Sequence, residues 1–74
     1  MNPKRVRTQE EIEAALASLG LVKTEIITAT GRFWRSLATG RHVQVPEPYD
    51  GTYPEFILAD LRGRLDELGL GTLH

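Results

Sequence analysis

His42 is the one histidine in the body of this chain, the other being the last residue, His74. A histidine titrates near neutrality and can serve as a general acid or base. Standing alone on a β-type segment, it reads first as a half-exposed surface group and only weakly as a catalytic candidate. Around it cluster Arg32, Arg35 and Arg41, which could contact phosphate or an acidic protein surface. Their plainer role is to keep strand edges charged and unpaired with stray strands. There is no cysteine, so thiolate ligands, a thiol nucleophile and a disulfide framework are excluded. One histidine with no cysteine beside it makes no metal site. Asp60, Asp66 and Glu67 fall on the polar side of a helical pattern near Arg62 and Arg64, where surface pairing is expected, not a carboxylate dyad. No P-loop, dinucleotide fingerprint or nucleophile–base constellation is present, and no cofactor is expected.

The elements that must position these residues follow from short-range patterns. Thr8-Gln9-Glu10-Glu11 has capping-box spacing, in which the Thr8 hydroxyl accepts from the Glu11 amide while Glu11 reaches back. Ile12, Ala15, Leu16 and Leu19 then recur with helical period, and Gly20 supplies a left-handed terminus. Lys23 to Thr28 is rich in β-branched residues and reads as a strand. Arg32 to Leu37 and Arg41 to Val45 read as two more, closed by Pro46, which cannot donate to a ladder. Pro46 to Gly51 is turn-rich, with Tyr49 and Tyr53 expected to staple the loop onto the core. Thr52-Tyr53-Pro54-Glu55 repeats the capping spacing, followed by an apolar stripe of Ile57, Leu58, Leu61, Leu65 and Leu68 that Gly69 stops. Gly63 inside that helix suggests close packing, since glycine there costs about 1 kcal/mol against alanine.

The order is α-β-β-β-α, an α+β class: a three-stranded antiparallel sheet with two helices on one face. Residues 1–7 read as a basic, loosely ordered arm, 8–70 as one domain, and 71–74 as a frayed end. At 74 residues and 41% hydrophobic content, one thin core between helices and sheet is expected. No apolar run approaches the roughly 18 residues that would span a bilayer, and a cytoplasmic address fits the lack of cysteine. The net charge of −1 argues mildly against an obligate nucleic-acid binder, which usually needs a basic surplus.

Phe33 and Trp34 are adjacent on a strand and must point to opposite faces. A two-residue Thr39-Gly40 turn pairs Ser36 with Val43 and Trp34 with Val45, burying the tryptophan. A three-residue Ala38-Thr39-Gly40 turn pairs Phe33 with Val45, turns Trp34 outward, and sets Arg35 opposite Val43 on the apolar face. A slip of one residue exchanges every side chain between faces. The first register is favoured, and it places Phe33, Arg35, Leu37, His42 and Gln44 on the sheet's uncovered face, an apolar and basic patch suited to a protein or to RNA stacking.

The run Thr39-Gly40-Arg41-His42-Val43-Gln44-Val45-Pro46, followed by Gly51-Thr52 and a helix over Phe56 to Leu68, resembles the HicA-type toxins. These are small RNA-cleaving interferases with a double-stranded-RNA-binding-domain-like fold. Ile12 to Val22 is similar to the family's first helix and its exit. The resemblance implies the same α-β-β-β-α architecture, RNA as a target and an acidic antitoxin as a partner. Where the family carries a G-S-H-H turn, with a histidine as general acid or base, this chain reads Gly31-Arg32-Phe33-Trp34. Arginine stays protonated, and Phe and Trp transfer no protons. The expectation is therefore a non-catalytic interaction module, with a protein partner or a second copy, through Arg32, Phe33, Arg35, Leu37, Arg41, His42 and Gln44. An RNA-binding or diverged RNA-cleaving toxin is the alternative.

Overall fold

The computed structural model describes residues 7–73. Its elements are β1 (Arg7–Thr8), α1 (Gln9–Ser18), β2 (Leu21–Ile27), β3 (Gly31–Ser36), β4 (His42–Pro46), β5 (Thr52–Tyr53) and α2 (Glu55–Leu68). The antiparallel β2-β3-β4 sheet and the two helices form the α+β arrangement expected, with both helices against one side. Two elements were not foreseen: β1 and β5 pair as a two-residue antiparallel ladder, Arg7 with Tyr53 and Thr8 with Thr52. Of the expected basic arm, Met1 to Val6 lie outside the described residues, and Arg7 belongs to this ladder instead.

The first helix is capped as its sequence requires. The Glu11 amide donates to the Thr8 hydroxyl at 3.2 Å, and the Thr8 amide donates to the Glu11 carboxylate at 3.0 Å. Ile12 and Leu16 are fully buried, with Ala15 and Leu19 packed beside them. Gly20, at φ +82°, then turns the chain directly into β2.

The second helix departs from expectation at its start. Pro54 is the N-cap and no side chain caps the helix. Thr52 is held in β5, and its hydroxyl donates to the Tyr49 carbonyl at 2.8 Å, so the Thr52-to-Glu55 spacing forms no capping box. Leu58, Leu61 and Leu65 are buried and Ile57 and Leu68 partly so, which matches the stripe. Gly63 is not close-packed: a Cβ there would meet open space. The C-terminal segment does not fray through Leu73. Gly69 adopts φ +67°, the Leu70 amide donates to the Leu65 carbonyl at 2.9 Å, and Leu70 and Leu73 both join the core. Arg62 adds a hydrogen bond from Nε to the Leu73 carbonyl at 3.1 Å. Tyr49 is exposed, so Tyr53 alone does the stapling, its hydroxyl donating to the Pro46 carbonyl at 2.9 Å.

Across the sheet, Trp34 pairs with Val43, Phe33 with Gln44 and Arg35 with His42. This register is neither of the two weighed from the sequence. The loop is Leu37 to Gly40, longer than either, closed by the Ser36 amide donating to the Arg41 carbonyl at 2.8 Å and the Gly40 amide to the Ser36 carbonyl at 2.8 Å. The Ser36 hydroxyl also accepts from the Thr39 amide at 3.2 Å. A shift of two residues from the two-residue turn preserves faces, because side chains alternate with period two. Trp34 is accordingly buried, at 5% exposure, with Leu21, Val43 and Val45 on the helix side. No helix among the described residues is long and apolar enough to cross a membrane.

Candidate functional site

Two surfaces bring chemically active side chains together, one on each side of the sheet. The uncovered side is built by alternation. From β3 it presents Phe33 and Arg35, with Leu37 just beyond the strand; from β4, His42 and Gln44; from β2, Val22, Thr24 and Ile26. Leu37 is 62% exposed and Ile26 is 52% exposed. Ile26, Phe33 and His42 line a shallow apolar depression. The Phe33 and His42 rings meet edge to face with centroids 6.1 Å apart, a geometry that sets the positive ring edge against the π face.

Not all of the residues expected there belong to one surface. Arg32 lies on the opposite, helix-covered side, paired with Val45, and its Nη1 donates to the Thr24 carbonyl at 2.6 Å. Arg41 is exposed in the β3–β4 loop. Gln44 is on the open side but its amide is spent internally: Nε2 donates to the Thr28 and Thr30 hydroxyls at 2.6 and 2.8 Å, and Oε1 accepts from Arg64 Nη1 at 3.2 Å. Gln44 therefore pins the β2–β3 turn and α2 to β4 instead of presenting a free amide. The contacts that remain accessible are Phe33, Arg35, Leu37 and His42, with Arg41 at the margin. Arg35 and Arg41 have no ion-pair partner among the described residues.

Ile26 was missed as a member of this surface. Its signal was present in the alternation Val22, Thr24, Ile26, but a strand read as uniformly β-branched hid which half of it faces out.

The second surface is a crevice of about 260 Å³ on the helix side, lined by Glu13, Lys23, Arg32, Trp34, Glu47 and Tyr53 among others. Lys23 Nζ sits 3.0 Å from the Glu13 carboxylate and 5.9 Å from the Trp34 ring centroid. Gln9 Nε2 donates to the same carboxylate at 3.0 Å. Burial works against the charged form of Glu13, but the hydrogen bonds from Gln9 and Lys23 and the charges of Lys23 and Arg32 outweigh it. They hold the carboxyl below its ordinary value of 4.5. Burial, reinforced by the negative charges of Glu13 and Glu47, pushes the Tyr53 phenol up to about 12. These groups satisfy one another, and no buried side-chain polar atom among the described residues lacks a partner. The crevice is thus an internally neutralised wall where α1 meets the sheet.

Chemically, neither surface assembles a nucleophile with a base. His42 stands beside an arginine and a phenylalanine, with no carboxylate among its described hydrogen-bond partners to orient it. Among the described residues, no three His, Cys, Asp or Glu side chains converge to hold a metal ion. The open side offers apolar area, two unpaired guanidinium groups and one imidazole. Those are groups that can contact a protein surface or a nucleic acid. Compared with protein-family models, with curated proteins and with solved structures, the chain matches none.

Proposed function

We propose that this protein is a non-catalytic interaction module that engages a protein partner through the uncovered side of its sheet. The observation that carries this reading is the exposure of Leu37 and Ile26 beside Phe33, on a sheet whose other side packs against the helices. Apolar side chains grouped on one exposed face, with charge at the margin, are characteristic of protein-binding surfaces. Arg35 and Arg41 supply the charge, and an acidic partner fits them.

A second reading has its own observation. Arg35 stands directly opposite His42, with the Phe33 ring against the imidazole. A cation beside two aromatic rings on an open face also suits single-stranded or looped RNA, in keeping with the resemblance to HicA-type toxins. The net charge of −1 and the lack of the family's G-S-H-H histidine weigh against it.

Incubation with structured RNA at low and moderate salt, beside a His42→Ala variant, separates the readings. No cleavage and no retention supports the protein-binding module. Retention that falls steeply with salt establishes an RNA binder. Cleavage lost in the variant establishes an interferase with a relocated histidine and overturns the first reading.

A further inference from the structure

The two edges of the β2-β3-β4 sheet are treated differently, and the difference identifies a partner. This inference concerns the edge of the sheet, goes beyond the reading of its open face, and stands whether that face meets protein or RNA. The Ser36 amide donates to Arg41 and the Leu37 amide to Gly20. By alternation, the backbone groups of His42, Gln44 and Pro46 therefore point away from β3 on one edge, and those of Leu21 and Lys23 point away on the other.

The β4 edge is partly covered. Its Gln44 carbonyl accepts from Arg64 Nη1 at 3.1 Å and its Pro46 carbonyl from the Tyr53 hydroxyl at 2.9 Å, while proline has no N–H to offer. The β2 edge is bare along its backbone: among the described residues, the main chain of Leu21–Ile27 hydrogen-bonds only to β3, Arg32 and its own Thr24 hydroxyl, while the Lys23 side chain pairs with Glu13. A bare edge invites another strand.

We infer that the occupant is a second copy of this chain, paired antiparallel along β2 about a two-fold axis at Thr24. The segment L-V-K-T-E-I-I is complementary to its own reverse. In that register Leu21 faces Ile27 of the other copy, Val22 faces Ile26, Lys23 faces Glu25 and Thr24 faces Thr24. Every crossing joins like with like in polarity and opposite in charge, the pairings that favour antiparallel ladders. The hydrogen-bonding phase agrees, since Lys23 and Glu25 have the same parity along the strand and the axis falls on a non-hydrogen-bonded pair.

The register shift against β3 between Lys23 and Ile27 inserts two residues. An even number leaves the alternation intact: Lys23 and Ile27 both line the helix-side crevice, and Ile26 lines the open-side depression. The pairing would cover Ile26 and Ile27, at 52% and 63% exposure, and join two sheets into one.

The test is sedimentation equilibrium of the full chain from about 10 μM to about 1 mM, with folding checked by circular dichroism. The wild type is expected to dimerise. Glu25→Lys and Lys23→Glu, each alone, set like charges opposite one another and weaken the dimer at least about tenfold. The two variants mixed in equal amounts restore opposite charges at both crossings and recover the affinity. Lys23 also holds Glu13, so Lys23→Glu can fail to fold. Glu25 has no described side-chain partner, and hydrogen exchange then decides with the Glu25→Lys variant alone. Protection of the Leu21 and Lys23 amides should rise with concentration in the wild type and stay flat in Glu25→Lys. A wild type that stays monomeric across the range, or a dimer whose affinity Glu25→Lys leaves unchanged, overturns the proposal.

Discussion

Trp34 lies directly opposite Val43 on the helix side of the sheet, while its neighbour Phe33 lies on the other side with its ring against His42. One dipeptide thus supplies both the sheet's largest core side chain and the centre of its exposed patch. The two positions are expected to answer very differently to truncation. Trp34→Ala removes a buried indole and should cost about 3–5 kcal/mol. A domain of this size holds roughly 5–15 kcal/mol in total, so the variant will be marginal or unfolded. Phe33→Ala should cost about 1 kcal/mol. Urea denaturation followed by far-ultraviolet circular dichroism checks both.

Two glycines make opposite predictions. A Cβ on Gly31 would overlap the Val45 carbonyl across the β3–β4 ladder, where only backbone could give way. Gly31→Ala should therefore break that end of the hairpin and lower the midpoint of unfolding markedly. Gly63 sits in α2 with open space where a Cβ would go and without a positive φ. Gly63→Ala should raise stability by about 0.5–1 kcal/mol through helix propensity. Thermal melts of the two variants against the wild type test this pair.

The crevice around Glu13 makes stability depend on pH at both ends. Glu13 has a folded-state pKa below its ordinary 4.5. Its contribution is therefore present above that value and lost as pH falls through the folded one. Glu13→Gln should flatten the acid limb of a plot of Tm against pH. Tyr53 runs the other way: its pKa rises from 10.0 to about 12 on folding. Its contribution is complete below pH 10 and lost as pH climbs towards 12. Tyr53→Phe should cost about 1 kcal/mol at neutral pH, through the hydrogen bond to Pro46, and should flatten the alkaline limb.

Leu37 and Ile26 are exposed, so charge at these positions should cost the fold little. Leu37→Glu and Ile26→Glu are each expected to shift stability by no more than about 0.5 kcal/mol. They should nonetheless abolish binding of any protein partner that uses the open side. A bait series of wild type, Leu37→Glu and Ile26→Glu, each first shown to melt like the wild type, measures this directly. Retention of the same partner by all three would remove the open side from consideration.

Much of the architecture was legible in the chain because it rests on contacts between near neighbours. The Thr8–Glu11 box, the turn at Gly20, the stop at Gly69 and the stripe of Leu58, Leu61 and Leu65 each depend on a few consecutive residues and are all present. Alternation put Phe33 and Trp34 on opposite faces, but turn length decided which faced the core; the favoured register differs from the observed one by two residues, and an even shift preserves faces. What the chain could not supply was pairing between distant segments. The length of the Leu37–Gly40 loop followed from Ser36 closing it. Thr52 was withdrawn from capping by its ladder with Thr8, more than forty residues earlier. Gln44 was removed from the binding set by Arg64 and two threonines, and Leu73 was drawn into the core by packing that no local pattern announces. The contrast between the two sheet edges, too, exists only once Arg64 and Tyr53 are folded against the Gln44 and Pro46 carbonyls of β4. Local periodicity states which face a residue prefers. Which groups are left without partners depends on long-range hydrogen bonds, and those exist only in the folded chain.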